Sequence, residues 1–383
     1  MMRLSRSIVL VVVLVSGAGG MVSAVARSMG VSMVAPRALA HMALTSLAWR
    51  PDGHSFWRWD GSPVPGGSRV HYLAAGPEDG RPLVLVHGFG ASWFHWRFNV
   101  PALAQRGYRV YAVDLLGFGL SDKPLTQYTA QLWAAQLADF ATHVVAPRAP
   151  CKAAIAGNSL GGFASLAAAV VAPEFIEGVA LLNAAGQFAS PRAADADPGA
   201  LADAGVLAAW MAETRARASE LARRMVLFGS FQLTKQPARI RQVLTSVYAR
   251  NASNVDDELV QSIAAPAEDP NAAEIFYRIV SRNALEPSTT IDALLARLDP
   301  ALQLLLLWGE HDPWIRPAAA DKIIALRPSA VRVSVDAGHC PHDEAPAQVN
   351  DALVAWLEQL PGAKLIPPPE PIVVSARWPP PAL

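Results

Sequence analysis

Residues 153–162 constrain the fold of this chain most, because an apolar run ends there in a serine with glycine two positions away on each side. The apolar run is typical of a buried strand, and the Ala- and Leu-rich residues that follow are typical of a helix. Ser159 must then occupy a strained turn, since glycine at 157 and 161 removes the Cβ atoms that would collide there. The sequence therefore predicts that Ser159 is a nucleophile exposed at the carboxyl edge of a sheet, at the positive end of a helix dipole.

Composition places the chain among globular proteins with neutral or apolar ligands. The 383 residues are 52% hydrophobic and 17% charged, which allows a large buried core. Lysine plus arginine balance aspartate plus glutamate at 32 each, so charge gives no reason to expect a nucleic-acid partner. The two cysteines, Cys151 and Cys340, are predicted at opposite ends of one strand, so both are expected to be free thiols.

The first 51 residues are predicted to lie outside the fold. Residues 1–24 combine two arginines, an apolar run and small residues ending at Ala24, which is the pattern of a cleaved secretory signal peptide. The apolar run is too short to cross a bilayer, so no transmembrane anchor is expected after cleavage. Residues 25–51 are basic and contain no acidic residue, as in a transit peptide. Together the two segments indicate a bipartite leader to a plastid, with secretion as the alternative.

From residue 52 the chain alternates strand-like and helix-like segments. Residues 56–59 and 69–73 predict an antiparallel pair, and the branched apolar run at 83–86 predicts a central parallel strand. Residues 93–105 predict a helix, after which strand and helix alternate to residue 182. This pattern indicates an α/β fold with a mostly parallel sheet and helices on both faces.

The alternation stops at residues 185–287, which predict a helical cap between two parts of the core, 52–184 and 288–360. The cap leaves the core at the carboxyl edge of the sheet, where ligands bind in such folds, so it should roof the site. Its apolar side chains, such as Phe231 and Tyr248, are expected to favour a long or bulky apolar substrate. The proline-rich tail, residues 361–383, predicts polyproline II or disorder.

Ser159 needs a base and an acid, which two downstream loops supply. A serine hydroxyl becomes a good nucleophile when histidine takes its proton and a carboxylate fixes the histidine tautomer. Asp312 and His339 each follow a predicted parallel strand, at the same sheet edge as Ser159. Asp312 is preferred because a proline stiffens its turn, and Glu310 remains the alternative acid.

His339 is the preferred base because it follows a small Ala-Gly pair directly after its strand. His342 remains the alternative base and is otherwise expected at the surface or behind the site. Asp343 and Glu344 are predicted to interact with the unpaired backbone donors at the start of the last helix.

The rest of the predicted site consists of donors and an aromatic wall. The backbone N–H groups of Phe89 and Leu160 are predicted to form an oxyanion hole, because glycines beside Phe89 let the backbone approach a carbonyl. His87 is predicted to hold that turn by hydrogen bonds. Three aromatic residues are predicted to line the substrate pocket: Trp93, Phe94 and Trp96. The sequence contains no visible metal-ligand cluster, and no cofactor is expected.

Taken together, these motifs resemble the serine-nucleophile members of the α/β-hydrolase superfamily. Five matching stretches occur in family order. They are His-Gly-Phe-Gly at 87–90, Asp-Leu-Leu-Gly-Phe-Gly-Leu-Ser-Asp-Lys-Pro at 114–124, Gly-Asn-Ser-Leu-Gly-Gly at 157–162, Trp-Gly-Glu-His-Asp-Pro-Trp at 308–314 and Gly-His-Cys-Pro-His-Asp-Glu at 338–344. The resemblance implies an eight-stranded α/β-hydrolase sheet with a helical cap, and the triad order Ser, Asp, His.

Within that superfamily the chain looks most like plant and algal plastid hydrolases, including pheophytinases, which cleave the phytyl ester of chlorophyll derivatives. This implies an apolar lipid or pigment ester as substrate and an acyl-enzyme intermediate. The chain departs from pheophytinases at His87, where they carry proline. Epoxide hydrolases of this fold use aspartate where this chain has Ser159. C–C bond or thioester hydrolysis by the same triad, and a slow hydrolase-like ligand-binding protein, remain alternatives.

Overall fold

One sheet of eight strands organises the protein. The computed structural model describes residues 46–50, 55–189, 221–281 and 289–362. The strand order is β1-β2-β4-β3-β5-β6-β7-β8. The strands are β1 (Ser55–Trp59), β2 (Ser68–Ala75), β3 (Arg81–Val86), β4 (Tyr108–Val113), β5 (Ala153–Asn158), β6 (Ile176–Leu182), β7 (Gln303–Gly309) and β8 (Val331–Val335). β2 is antiparallel to both of its neighbours and every other pair is parallel, which confirms the predicted α/β fold.

Helices cover both faces of this sheet. The α-helices between and after the core strands are Asn99–Gln105, Ala130–Phe140, Leu160–Val171, Ile291–Arg297, Ala318–Leu326, Pro341–Glu344 and Pro346–Leu357. The sheet has two buried faces because alternate side chains of one strand enter different cores. In β3, Val84 and Val86 enter one core, whereas Leu83 and Leu85 enter the other. The continuous apolar run that predicted a central strand is explained by this double burial.

The predicted helix at 93–105 is wrong as one element, because the structure divides it. A 3₁₀ turn spans Trp93–Trp96, and an α-helix follows at Asn99–Gln105. A continuous helix would need an N–H at position 101 for the carbonyl of Arg97, but residue 101 is proline and has none. The Arg97 carbonyl instead accepts the N–H of Leu47 at 3.1 Å.

The last residues of the predicted leader contact the core. Besides the Leu47 bond, the Trp49 N–H donates to Glu258 at 3.3 Å, and its ring stacks on Trp93 with centroids 6.0 Å apart. The signal peptide, most of the transit-like segment and nearly all of the proline-rich tail lie outside the described residues. Among the residues that are described, no helix is both long enough and apolar enough to span a bilayer. Both cysteines are free thiols, as predicted.

The described part of the cap is helical. It contains a helical stretch at 221–234 and the helices Pro237–Val247, Asp257–Ala264 and Ala272–Ser281. The helix Pro237–Val247 ends at Val247, and Tyr248 follows it. Residues 190–220 and 282–287 of the predicted cap are outside the described ranges.

The crossing of β5 and the helix Leu160–Val171 explains the two glycines around Ser159. A Cβ atom on Gly157 would lie 2.3 Å from the carbonyl carbon and oxygen of Gly161. A Cβ atom on Gly161 would lie 2.3 Å from the carbonyl oxygen of Val86 in β3. Each of these contacts is to backbone, so neither neighbour can rotate away. The prediction that these two positions have no room for a Cβ atom is therefore confirmed.

We expect Gly157→Ala to lower the free energy of unfolding by at least about 1–3 kcal/mol, because the added methyl group overlaps backbone atoms. Urea unfolding followed by circular dichroism measures this change. Gly229→Ala is the matched control, since Gly229 lies in the 221–234 helical stretch, has no positive φ, and leaves open space within 4 Å of where a methyl group would lie. It should be neutral or stabilising by up to about 1 kcal/mol. Equal stability of Gly157→Ala and the natural protein would contradict this packing account.

Candidate active site

Ser159 occupies a strained backbone conformation at the end of β5. Its φ is 53° and its ψ is −117°, a left-handed geometry that non-glycine residues rarely adopt. The Ser159 N–H donates to Leu182 O at 3.0 Å, and its carbonyl accepts the N–H of Ala185 at 2.9 Å. These bonds hold the strain in place, as expected where a turn serves function. The half-buried side chain makes no capping bond, so Oγ is available for reaction.

His339 and Asp312 form a buried pair. His339 Nδ1 lies 2.8 Å from Asp312 Oδ2, and each residue is 4% exposed. The other Asp312 oxygen, Oδ1, accepts the N–H groups of Trp314 at 2.7 Å and Ile315 at 3.0 Å. An ionised carboxylate only accepts, so this geometry assigns the ring proton to Nδ1 and leaves Nε2 as an acceptor. Nε2 bonds to no other described residue, so it can take a proton.

The acid loop places Asp312, and not Glu310, against the histidine. Glu310 is exposed, and no hydrogen bond joins its carboxylate to His339. The neighbouring His311 is also exposed and lies 2.9 Å from Asp336. The preference for Asp312 over the alternative acid is therefore supported by position.

Asn183 is a residue of the site that the sequence argument missed. Its Nδ2 donates to Asp312 Oδ2 at 2.7 Å, and its Oδ1 accepts the Gly309 N–H at 2.9 Å. Its φ of 44° is left-handed, which asparagine tolerates better than most residues. Asn183 directly follows β6, so the rule that located Asp312 and His339, a polar residue just past a buried strand, also applies to it.

The turn at 87–90 lies directly over the serine. A Cβ atom on Gly88 would be 3.3 Å from Ser159 Cβ, so this backbone passes close to the nucleophile. His87 holds the turn as predicted: Nδ1 lies 2.7 Å from Gly88 O, and Nε2 accepts the Leu115 N–H at 3.0 Å. Burial lowers the pKa of His87, which keeps its ring neutral in this role. No described residue accepts the N–H of Phe89 or Leu160, so both donors can serve an oxyanion.

The predicted aromatic wall needs correction, because its side chains are in the core. Trp93, Phe94 and Trp96 are at most 1% exposed and present no surface to a substrate. His342, expected at the surface or behind the site, is fully buried and packs on Trp96 with ring centroids 4.2 Å apart. Burial holds the pKa of His342 well below its usual value, so the ring is neutral. The prediction for residues 93–96 was wrong because these side chains join a core built from distant segments, which no local sequence pattern reveals.

Two other aromatic side chains are exposed beside the candidate site. Phe89 is 45% exposed, and its ring lies 6.0 Å from that of Phe276 in the cap. Trp314 is 38% exposed, with its ring centroid 4.9 Å from that of His339. For Phe89 only a role of the backbone N–H was predicted, and Trp314 belongs to the motif that contains Asp312. Their side chains supply the apolar surface that had been assigned to residues 93–96.

Asp343 and Glu344 also need correction, because they do not serve the last helix. Asp343 accepts from Tyr248 Oη at 2.7 Å and from Arg97 Nε at 3.1 Å. Glu344 accepts backbone N–H groups from the loop after the cap helix Pro237–Val247. Burial raises the pKa of Asp343 to about 6, and Arg97, whose charge is shared with Asp256, offsets this only in part. Both carboxylates therefore join the cap to the histidine loop.

Among the described residues, no group of three or more His, Cys, Asp or Glu side chains has the arrangement of a metal site.

Comparison with known proteins identifies the architecture. The sequence profile of the alpha/beta hydrolase fold matches residues 81–346. The chain is 30% identical over 329 residues to chloroplastic pheophytinase of Arabidopsis thaliana, covering 76% of this chain and 64% of that protein. It is 27% identical over 312 residues to bifunctional epoxide hydrolase 2 of Rattus norvegicus, covering 77% of this chain and 54% of that protein. The chain thus spans less than two thirds of the length of either relative.

A solved structure shares the same fold. The epoxide hydrolase CorEH without ligand superimposes with a TM-score of 0.58 at 22% identity, covering 80% of this chain and 98% of that one.

We expect the natural protein to lose free energy of unfolding relative to the Asp343→Asn variant as pH rises from 4 to 7. The folded pKa of Asp343 is about 6, above its ordinary value of 3.8, so folding favours the protonated acid. The stability that Asp343 contributes is therefore complete below pH 4 and is lost as pH rises through 6, by up to about 3 kcal/mol. Urea unfolding of both proteins at four pH values measures this difference. A constant difference, or one that grows in favour of Asp343 with pH, would contradict the burial account.

Proposed function

The chain belongs to the α/β-hydrolase family, and within that family we propose that it is a serine hydrolase that cleaves carboxylic esters. The proposal rests on one arrangement: the buried Asp312–His339 pair, whose histidine is bonded through its backbone to the elbow that carries an unengaged Ser159. This is the combination that nucleophilic acyl transfer needs.

In the proposed reaction, Ser159 Oγ attacks the ester carbonyl carbon and its proton passes to His339 Nε2. The N–H groups of Phe89 and Leu160 bind the oxygen as it becomes negative. The imidazolium returns the proton to the departing alcohol, which leaves the acyl group on Ser159. His339 then takes a proton from water, and the resulting hydroxide attacks the acyl-enzyme. Collapse of that intermediate releases the carboxylic acid and restores the serine.

An apolar substrate is supported by the exposed aromatic side chains. The rings of Phe89 and Trp314 border the oxyanion donors and the base, so an acyl or alcohol chain bound there would lose contact with water. Each methylene so buried contributes about 0.8 kcal/mol. The similarity to pheophytinase also supports a lipid or pigment ester.

The residue at the elbow argues against epoxide hydrolysis despite the similarity to epoxide hydrolases. A carboxylate nucleophile opens an epoxide to an ester, which water can cleave. A serine would instead form an ether, which water does not cleave under base catalysis by histidine. Ser159 is therefore suited to acyl transfer, and C–C bond or thioester hydrolysis remains compatible with the same three side chains.

We expect Ser159→Ala to abolish hydrolysis of p-nitrophenyl butyrate and Asp312→Asn to lower kcat by up to ~10⁴-fold, because the amide permits the wrong histidine tautomer. Glu310→Gln, at an exposed site in the same loop, is the control and should keep the natural kcat. Release of p-nitrophenol measures all three. Activity in Ser159→Ala would refute the nucleophile, and a larger loss in Glu310→Gln than in Asp312→Asn would refute the acid. An epoxide such as styrene oxide should not be turned over.

The apolar part of the proposal predicts that kcat/KM rises with acyl chain length from two to eight carbons. Phe89→Ala keeps the backbone N–H but removes the exposed ring, so it should flatten this rise while retaining activity on the acetate ester. Steady-state kinetics across the p-nitrophenyl series measures both trends. A preference for acetate throughout the series would refute an apolar substrate, and an unchanged slope in Phe89→Ala would remove this ring from substrate binding.

A further inference from the structure

The backbone of His339 is held from two sides. Its N–H donates to the carbonyl of Val247 at 2.9 Å, at the end of the cap helix Pro237–Val247. Its own carbonyl accepts from Asn158 Nδ2, also at 2.9 Å, and Asn158 precedes Ser159 in the chain. His339 therefore lies between the cap and the elbow and is bonded to both.

The cap and the histidine loop are in direct backbone contact. A Cβ atom on Gly338 would lie 2.0 Å from Val247 O and 2.8 Å from the backbone nitrogen of Ala249. Only glycine fits at this position. A shift of the cap helix end would consequently press on the residue that precedes His339.

Glu344 bonds these two backbones together. Its Oε2 accepts the Gly338 N–H at 2.6 Å, and its Oε1 accepts the N–H groups of Arg250 at 2.6 Å and Asn251 at 2.9 Å. Glu344 is buried, so water does not compete strongly for these bonds. Three converging donors suit a carboxylate, which offers two accepting oxygens. Glutamine would offer one oxygen and place an NH₂ group against an N–H.

A second set of bonds holds the same cap loop on its other side. Asn254 Nδ2 donates to the Asp343 carbonyl at 2.5 Å, and Arg97 donates to Asn254 O at 2.6 Å and to Asp256 at 2.8 Å. The loop is thus already fixed to the core at residues 254–256. Among the side chains of the described residues, Glu344 alone bonds both to this loop and to the residue next to His339.

We propose that Glu344 is a positioning residue that couples the cap to the base: by joining Gly338 to the cap loop, it sets where Nε2 of His339 lies relative to Ser159. This inference rests on the proposed serine-hydrolase function. It explains why a carboxylate is buried behind the site without contacting a reacting atom. Misplacement of reacting groups by about 1 Å can cost ~10²-fold in rate, so loss of the coupling should affect kcat and leave substrate binding intact.

The test compares Glu344→Gln, Glu344→Asp and the control Glu358→Gln in the full chain, with p-nitrophenyl butyrate as substrate. Glu358 is exposed just after the last helix and is remote from these bonds in the chain. Titration with a fluorophosphonate that labels the reactive serine counts working sites, so that unfolded protein does not enter kcat. We expect Glu344→Gln to lower kcat per site about 10- to 100-fold with KM within twofold. Glu344→Asp keeps both accepting oxygens on a shorter side chain and should recover part of this loss, while Glu358→Gln should match the natural protein.

A folded Glu344→Gln with the natural kcat, or with a change confined to KM, would overturn the inference. Should Glu344→Gln fail to fold, Glu344→Asp decides: a lower kcat with unchanged KM supports positioning, and the natural kcat refutes it. Failure of the proposed function gives a different result, because the natural protein would then neither hydrolyse the ester nor react with the fluorophosphonate.

Discussion

The candidate site depends on a loop that returns across the edge of the sheet. β8 lies three strands from β5 in the sheet order, a distance of about 14 Å at ~4.8 Å per strand. The His339 side chain is too short to cover that distance, so the backbone has to return over β7 and β6. Gly309 makes this possible, since a Cβ atom there would lie 1.9 Å from Gly338 O. The bond from Asn158 to His339 O then fixes the end of the return beside the serine.

Strand β6 lies between β5 and β7, and its end bonds both to the turn of Ser159 and to Asp312. Leu182 O accepts both the Ser159 N–H and Asn158 Nδ2, and the next residue, Asn183, bonds to Asp312. Two consecutive residues of the chain thus bond to the turn of Ser159 on one side and to Asp312 on the other. The left-handed φ of Asn183 directs its side chain toward Asp312. In the same way, the strained φ of Ser159 leaves its Oγ available. The relative positions of Ser159, Asp312 and His339 are therefore set by neighbouring backbones more than by the three side chains themselves.

Because neighbouring backbones set the geometry of the site, the sequence could predict only part of it. The sheet, its mostly parallel pairing and the positions of Ser159, Asp312 and His339 follow from local patterns, because each candidate residue lies within four residues of the end of a strand. The burial of Trp93 and His342 could not be read locally, since it depends on a core assembled from distant segments. The break in the 93–105 helix could have been predicted from the proline at 101. Most of the predicted leader lies outside the described residues, and its cleavage and destination stay predictions.

The buried polar groups between the cap and the core are better explained as groups that fix the position of the cap than as groups that stabilise the fold. Burying charges such as Arg97 and Asp343 costs desolvation that their pairing only partly repays, and apolar replacements of buried ion pairs are often neutral or stabilising. An apolar contact, however, is non-directional and tolerates sliding. Hydrogen bonds to specific backbone groups do not, because their strength falls steeply with angle and distance. At the boundary where the cap meets the loop of His339, the directional bonds from Glu344 to backbone N–H groups resist displacement of one against the other.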